Sequence, residues 1–420
     1  MGREINKMQS EAGSLSDITS TTEKVLNQLT SLDVQDLPQF WRDVESVSVP
    51  VIQNVAGNDD ERDVTFLWRS PKVLKGVYLF LNRVTDKQHF AKGMMNPVPH
   101  SDIWTLTLRL PATYRGSYTI TEIPLETSHE VIVQLGGRHR AIIGQADPLN
   151  SHPGIRVRGG KNESVLALDE APAQTEWSAL PDAYTGELFT SSHKIAGQSR
   201  RVRLYIPDVP RLQPMGLLVL PDAEIWFDQV DLLQALDVAI KNKRIKPLAV
   251  LGIDNRDDAD RASILGGNRH FIDEIAGKLL PQMRREHAER VWADRSQTVL
   301  CGQSLGGVTA LMGALHAPDA FGAVICNSPS MWWMPDKDSR PVMFDEHQQS
   351  WVTNLMLADP PKDVRIRLGV GSLEGATVTH VALLHQALLR AGVDAHLSFY
   401  TGGHDYAWWR GALIDGLAEL

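Results

Sequence analysis

Residues 297–315 read QTVLCGQSLGGVTALMGAL. The stretch opens on a short apolar run of strand character and closes on a helical one, GVTALMGALHA (307–317). Between them stands Gly302-Gln303-Ser304-Leu305-Gly306, a G-x-S-x-G directly after a strand and directly before a helix. That context is what a nucleophile carried on a sharp strand-to-helix turn needs. The turn is expected to be so tight that a side chain at either flanking glycine would collide with neighbouring backbone. It would lift Ser304 Oγ above the sheet edge and aim N–H groups of the following helix at an oxyanion. The bland alternative is a Gly-rich turn with a capping serine.

Outward from this motif, strand-like and helical runs alternate from about residue 187 to the end, the rhythm of a parallel sheet with helices on both faces. RRVRLYIPD (200–208), GLLVLPD (216–222), LAVLGID (248–254), QTVLCG (297–302), GAVICNS (322–328), VRIRLGVGS (364–372) and HLSFYTGG (396–403) read as strands. DLLQALDVAIKN (231–242), GVTALMGALHA (307–317) and VTHVALLHQALLRAG (378–392) read as helices. The fold class is α/β, an α/β-hydrolase catalytic domain.

A serine hydroxyl needs a base, and histidine suits neutral pH. Of fourteen histidines, His404 alone follows the last strand, in Thr401-Gly402-Gly403-His404-Asp405, ahead of the closing helical run. The acid that orients it is expected after the preceding strand, between Ser and His in chain order. Glu374, in Ser372-Leu373-Glu374-Gly375, fits. Asp405 is adjacent to His404 and poorly placed to meet it, and Asp363 lies at the wrong end of its strand. Leu305 N–H and an N–H near Asp222-Ala223, after the strand at 216–221, form the expected oxyanion hole.

Ahead of this domain, residues 1–40 are a polar leader with a weak helix at 21–31. VTFLWR (64–69), GVYLFLN (76–82), WTLTLRL (104–110), SYTITEI (117–123) and EVIVQL (130–135) alternate or run apolar between turn residues, and predict a small antiparallel β-sandwich. Residues 136–185, rich in Gly, Pro, Asn and Asp, read as a long connection. The expected division is thus 1–40 leader, 41–185 sandwich domain with connecting segment, and 186–420 catalytic domain.

The 420 residues are 43% hydrophobic and 22% charged, ordinary for a folded protein, so disorder is not the default. A net charge of −9 argues against broad nucleic-acid binding. Cys301 and Cys326, the two cysteines, lie in apolar strands, so no disulfide framework and no cysteine metal cluster is expected. The polar start of the chain lacks a signal-like apolar core, and no run is long enough to span a bilayer. A cytoplasmic protein without membrane or nucleic-acid partner and without resident cofactor or metal is the expectation.

Several segments together carry a family resemblance: GQSLGG (302–307), GGHDYAWWRGALIDGL (402–417), LPDAEIWFD (220–228), NSPSMWW (327–333), DVTFLWR (63–69), RGSY (115–118) and ADPLN (146–150). From about residue 40 to the end the chain resembles the enterochelin (enterobactin) esterases, most closely those of the cytoplasmic salmochelin system. The resemblance implies a β-sandwich ahead of an esterase-D-like catalytic domain. It also implies hydrolysis of the trilactone backbone of catecholate siderophores, with iron arriving only as part of the substrate. The family's Ser, His and acid fall on Ser304, His404 and Glu374. Ala223 departs from the pattern, which expects glycine there.

A ferric tris-catecholate is anionic and presents flat aromatic faces, so its site should offer Arg and Trp. Arg256, Arg261, Trp332, Trp333, Trp408 and Arg410 are the expected substrate residues, with Arg138 and Arg140 as a basic wall from the leading domain. Two competing readings are a feruloyl-type carbohydrate esterase with a binding sandwich, and a siderophore-binding protein on an inactive hydrolase fold.

Overall fold

A computed structural model of the chain describes residues 21–137, 140–157, 160–178, 180–336 and 347–420. Its contacts divide it into two units. The first runs to Ile155 and takes in Lys161–Ala171; the second comprises Arg156–Gly160 and Pro172–Leu420.

The first unit is built on β1 (Val51–Val55), β2 (Asn58–Arg69), β3 (Gly76–Leu81), β4 (Asn96–Pro97), β5 (Ile103–Pro111), β6 (Arg115–Ile123) and β8 (Lys161–Ala167), with β7 (Ile155–Val157) beginning in it at Ile155. They form two four-stranded sheets, β1-β2-β5-β4 and β3-β6-β8-β7. Phe66 of one sheet meets Tyr118 of the other edge to face, 5.1 Å between ring centres, so the sheets pack face to face as a sandwich. The Tyr118 hydroxyl donates to Asp147 (2.8 Å) and accepts from Asn150 (3.1 Å), which ties the ADPLN segment to the core.

Two expectations change here. EVIVQL is not a strand: His129–Val133 is helical and Gln134–Gly136 a 3-10 turn. Ser128 caps it by accepting from the Val131 N–H, and Ile132 and Leu135, three apart, turn the same way onto Tyr78 and Phe80. The expected connection at 136–185 also contains β8, which pairs antiparallel with β6 over Arg115–Tyr118.

The second unit holds one eight-stranded sheet of β9 (Glu187–Ile195), β10 (Gln198–Ile206), β11 (Gly216–Pro221), β12 (Leu248–Ile253), β13 (Thr298–Gln303), β14 (Ala323–Asn327), β15 (Arg365–Gly371) and β16 (Ala395–Tyr400). The order across it is β9-β10-β12-β11-β13-β14-β15-β16. β10 runs antiparallel to both neighbours, and β12 to β16 are parallel with β11. Every residue of β11, β12, β13 and β14 is buried, because helices cover both faces, and this is why these strands are uninterrupted apolar runs. The sequence reading missed β9, an edge strand of alternating polar residues. It joins β10 through Ala196-Gly197, both at positive φ as a two-residue hairpin requires. Cys301 and Cys326 are buried and free.

The loops after β11, β13, β14, β15 and β16 all leave the same, C-terminal edge of the sheet. In open α/β sheets this edge, where the strand order reverses, is where ligands bind.

Candidate active site

Ser304 joins β13 to the helix Leu305–His316 with φ 58° and ψ −119°, a conformation non-glycine residues rarely hold. Its N–H donates to Asn327 O (3.0 Å), and its carbonyl accepts from the N–H groups of Gly307 (3.1 Å) and Ser330 (3.0 Å). The surrounding backbone therefore over-determines the strained turn. A Cβ on Gly302 would stand 2.0 Å from the carbonyl oxygen of Gly306, so no side chain fits there. The expectation for Gly306 is corrected: a Cβ there would meet nothing nearer than Asp222 Oδ2 at 3.7 Å, an ordinary contact. Gly307 is the tighter neighbour, its Cβ falling 3.0 Å from Pro329 Cα.

Glu374 follows β15 and His404 follows β16, so adjacent strands deliver them side by side. His404 Nδ1 lies 2.6 Å from Glu374 Oε2. A carboxylate only accepts, so Nδ1 carries the hydrogen and Nε2 is left as the basic nitrogen. The other oxygen of Glu374 accepts from Ser328 Oγ (2.5 Å) and the Gly371 N–H (2.9 Å). Ser328 in turn accepts from Trp409 Nε1 (2.9 Å), and the Trp409 ring stands edge-on to the His404 ring at 4.7 Å. Glu374 is 2% exposed, yet hydrogen bonds satisfy its carboxylate. Asp405 is engaged elsewhere: it caps the helix Tyr406–Ala418 by accepting from the Ala407 N–H (2.8 Å).

On the other side of Ser304, Leu305 opens its helix, so its N–H has no intrahelical acceptor. Ala223 likewise opens the helix Ala223–Asp228. Asp222, at φ 60° and ψ 30°, is fully buried. Oδ1 of Asp222 accepts from Arg261 Nε (2.6 Å) and Asn255 Nδ2 (2.5 Å), and Oδ2 from Arg261 Nη2 (2.9 Å) and Gln303 Nε2 (2.8 Å). Burial opposes the charge of Arg261, but Asp222 more than offsets this and raises its pKa. Burial, with the charge of Asp222, pushes the neighbouring Glu224 carboxyl up.

This arrangement sits in a chain whose residues 192–420 match the esterase family model and whose residues 63–177 match the model for the enterochelin esterase N-terminal region. The iron(III) salmochelin esterase of Escherichia coli O6:H1 is 58% identical to it over 394 residues, covering 94% of this chain and 96% of that protein. The chain belongs to the enterochelin esterase family. The iron(III) enterobactin esterase of the same strain is 30% identical, over 86% of this chain and 92% of the relative. An enterobactin esterase from Shigella flexneri, solved in the presence of enterobactin, superposes with a TM-score of 0.76 at 26% identity, covering 91% of this chain and 97% of that one. The chain is thus an esterase with an α/β-hydrolase catalytic fold.

Within this enterochelin esterase fold, the expected substrate residues divide. Trp408 and Arg410 are corrected to interior roles. Trp408 is 2% exposed, donates to Gly403 O (2.6 Å) and stacks on Tyr400. Arg410 is 9% exposed, donates to Gln174 Oε1 (2.7 Å) and lies over the Trp177 ring. The last helix is the reason: it is buried on nearly every side, so Trp408 and Arg410, two residues apart on opposite faces, both end in the interior. Arg261 is taken up by Asp222. Arg256 is exposed and donates to Gln198 (2.9 Å). Trp332 and Trp333 are half-buried, in a segment whose Ser330 N–H bonds the carbonyl of Ser304. Trp333 lies against Gly266 and Gly267, where any Cβ would strike its ring, and against Trp351. In the first unit Arg140 lies over the Phe80 ring, 3.9 Å from its centre; Arg138 lies outside the described residues.

Sequence reading missed Ser328, Ser330 and Gln303. Ser330 Oγ is 3.2 Å from Ser304 Oγ. The Ser-Pro-Ser after β14 was the available signal, since that strand ends at the same sheet edge. Among the described residues, no group of three or more His, Cys, Asp or Glu could hold a metal ion, and no helix is long and apolar enough to cross a membrane.

Proposed function

We propose that the chain hydrolyses the trilactone backbone of catecholate siderophores, taking enterobactin, glucosylated salmochelin and their ferric complexes as substrates. The observation that carries the reading is the His404–Glu374 pair, with Nε2 left basic, on the same sheet edge as the strained Ser304. The enterobactin and salmochelin esterase relatives supply the substrate class.

His404 Nε2 takes the proton of Ser304 as Oγ attacks a lactone carbonyl carbon. The Leu305 and Ala223 N–H groups hold the oxyanion. His404 then gives the proton to the departing seryl oxygen, the C–O bond breaks, and an acyl-enzyme remains. Water, deprotonated by His404, attacks that ester; the proton returns to Ser304 and the acid product leaves. Glu374 keeps the imidazole in the required tautomer and stabilises its cationic form. Trp332 and Trp333 offer the aromatic wall for catechol rings, and exposed Arg256 a cation for their anionic oxygens. Opening the trilactone removes the preorganisation that lets three catecholates hold iron together, so iron is held less tightly. Iron is part of the substrate here, the chemistry calls for no resident cofactor, and the cytoplasm is the place for it.

Treatment with an aryl phosphonate followed by peptide mass mapping tests the assignment. A single adduct on Ser304, lost in His404→Ala, is expected. An adduct elsewhere, or none on wild type, would overturn it.

A further inference from the structure

Strands β11 and β13 part company just where the site opens. Their ladder ends at Val219–Leu300. By contrast β11 stays paired with β12 as far as Pro221–Ile253, and β13 with β14 as far as Gln303–Asn327. The two oxyanion donors stand on opposite sides of this split, Ala223 beyond β11 and Leu305 beyond β13. Backbone ladder bonds do not set their separation.

A side-chain bond crosses the split instead. Gln303 Nε2 donates to Asp222 Oδ2 at 2.8 Å. Asp222 directly precedes Ala223, and Gln303 directly precedes Ser304. Both side chains are almost wholly buried. The amide of Gln303 can face only one way: Nε2 also reaches the Tyr406 hydroxyl (2.8 Å), while Oε1 accepts from Trp226 Nε1 (3.2 Å). Asp222 is held in its left-handed conformation by the donors on its two oxygens, among them the two-bond fork of Arg261.

We propose that Asp222 and Gln303 form a positioning clasp that fixes the separation of the two oxyanion donors across the β11–β13 split, with the two-bond fork of Arg261 holding Asp222 in place. The inference rests on the reading of Ser304 and its two backbone donors given above. Such a clasp matters because the donors must meet an oxyanion to within a fraction of an ångström, and a misplacement of 1 Å costs about 10²-fold in rate. The bond through Tyr406, two residues beyond His404, ties the loop of the base to the same clasp.

The test compares wild type, Asp222→Asn, Gln303→Leu and the double variant on p-nitrophenyl butyrate and on enterobactin, together with the rate of Ser304 phosphonylation. Loss of the clasp is expected to lower kcat by about 10- to 100-fold with KM within about threefold, the mark of an interaction felt in the transition state. Phosphonylation should slow in parallel, and the double variant should be no worse than the worse single, because both act through one contact. Wild-type kcat with only a lowered Tm would make the contact structural and overturn the proposal; so would effects that add. If Asp222→Asn does not fold, Arg261→Lys, which keeps the charge but loses the fork, should show the same split of kcat from KM in milder form, and an unchanged kcat there would count against it. Activity surviving Ser304→Ala would instead sink the reading on which the proposal rests.

Discussion

Glu374 turns Oε2 to His404 Nδ1 at 2.6 Å, while Ser328 Oγ and the Gly371 N–H hold its other oxygen. The carboxylate is thereby fixed at both ends, and the imidazole inherits its orientation and tautomer from a buried, hydrogen-bonded group.

Glu374→Gln should therefore lower kcat by about 10²- to 10⁴-fold, because an amide can present its NH₂ to Nδ1 and favour the wrong tautomer. Asp405→Ala should leave kcat near wild type and cost about 1 kcal/mol of stability, as the loss of a helix cap. Steady-state kinetics with denaturant unfolding separates the two carboxylates. Equal kinetic damage from both would refute the assignment of the acid.

Ser328→Ala removes one support of Glu374 and leaves the Trp409 indole N–H without its acceptor. We expect kcat to fall by about tenfold with KM little changed, since one net hydrogen bond to a charged group is worth about 1.5–3 kcal/mol and only part of it is felt at His404. A raised KM at constant kcat would place Ser328 in substrate binding instead.

The glycines beside Ser304 should behave oppositely. Gly302→Ala must push a methyl to 2.0 Å from a carbonyl oxygen and should yield no soluble active enzyme. Gly306→Ala meets only an ordinary contact in the first turn of a helix and should keep wild-type activity, with stability within about 1 kcal/mol. Expression and thermal unfolding of the pair check this.

Arg410→Ala should destabilise the protein without weakening substrate binding. It strips the buried Gln174 carbonyl of its donor and removes the cation over Trp177, a loss of about 2–3 kcal/mol. A shift in KM larger than the change in stability would return Arg410 to the substrate site.

Much of the catalytic unit was legible because its signals are local. A G-x-S-x-G after a buried apolar run, a Gly-Gly-His after a strand and a carboxylate one strand earlier each show within a few residues. What was not legible depends on partners far away in the chain. Gln303 looks like a variable position of a motif until Asp222, on another strand, is seen to accept from it. Trp408 and Arg410 carry the residue types a catecholate site needs, and only the burial of the last helix on nearly every side takes both of them out of reach. EVIVQL is too short for its apolar content to choose between strand and helix, and Ser128 decides it. β8 was hidden because exposed or half-buried Lys161, Asn162 and Glu163 open it, Ser164 is polar although buried, and only Val165 and Leu166 are apolar and buried.

Whether Ser304 opens the trilactone can be read by chromatography of ferric and iron-free enterobactin, and of the glucosylated form, after incubation with wild type and Ser304→Ala. Wild type should give linear trimer and shorter products, and Ser304→Ala should leave the trilactone intact. Intact trilactones with both proteins, or cleavage by both, would refute the role proposed for Ser304.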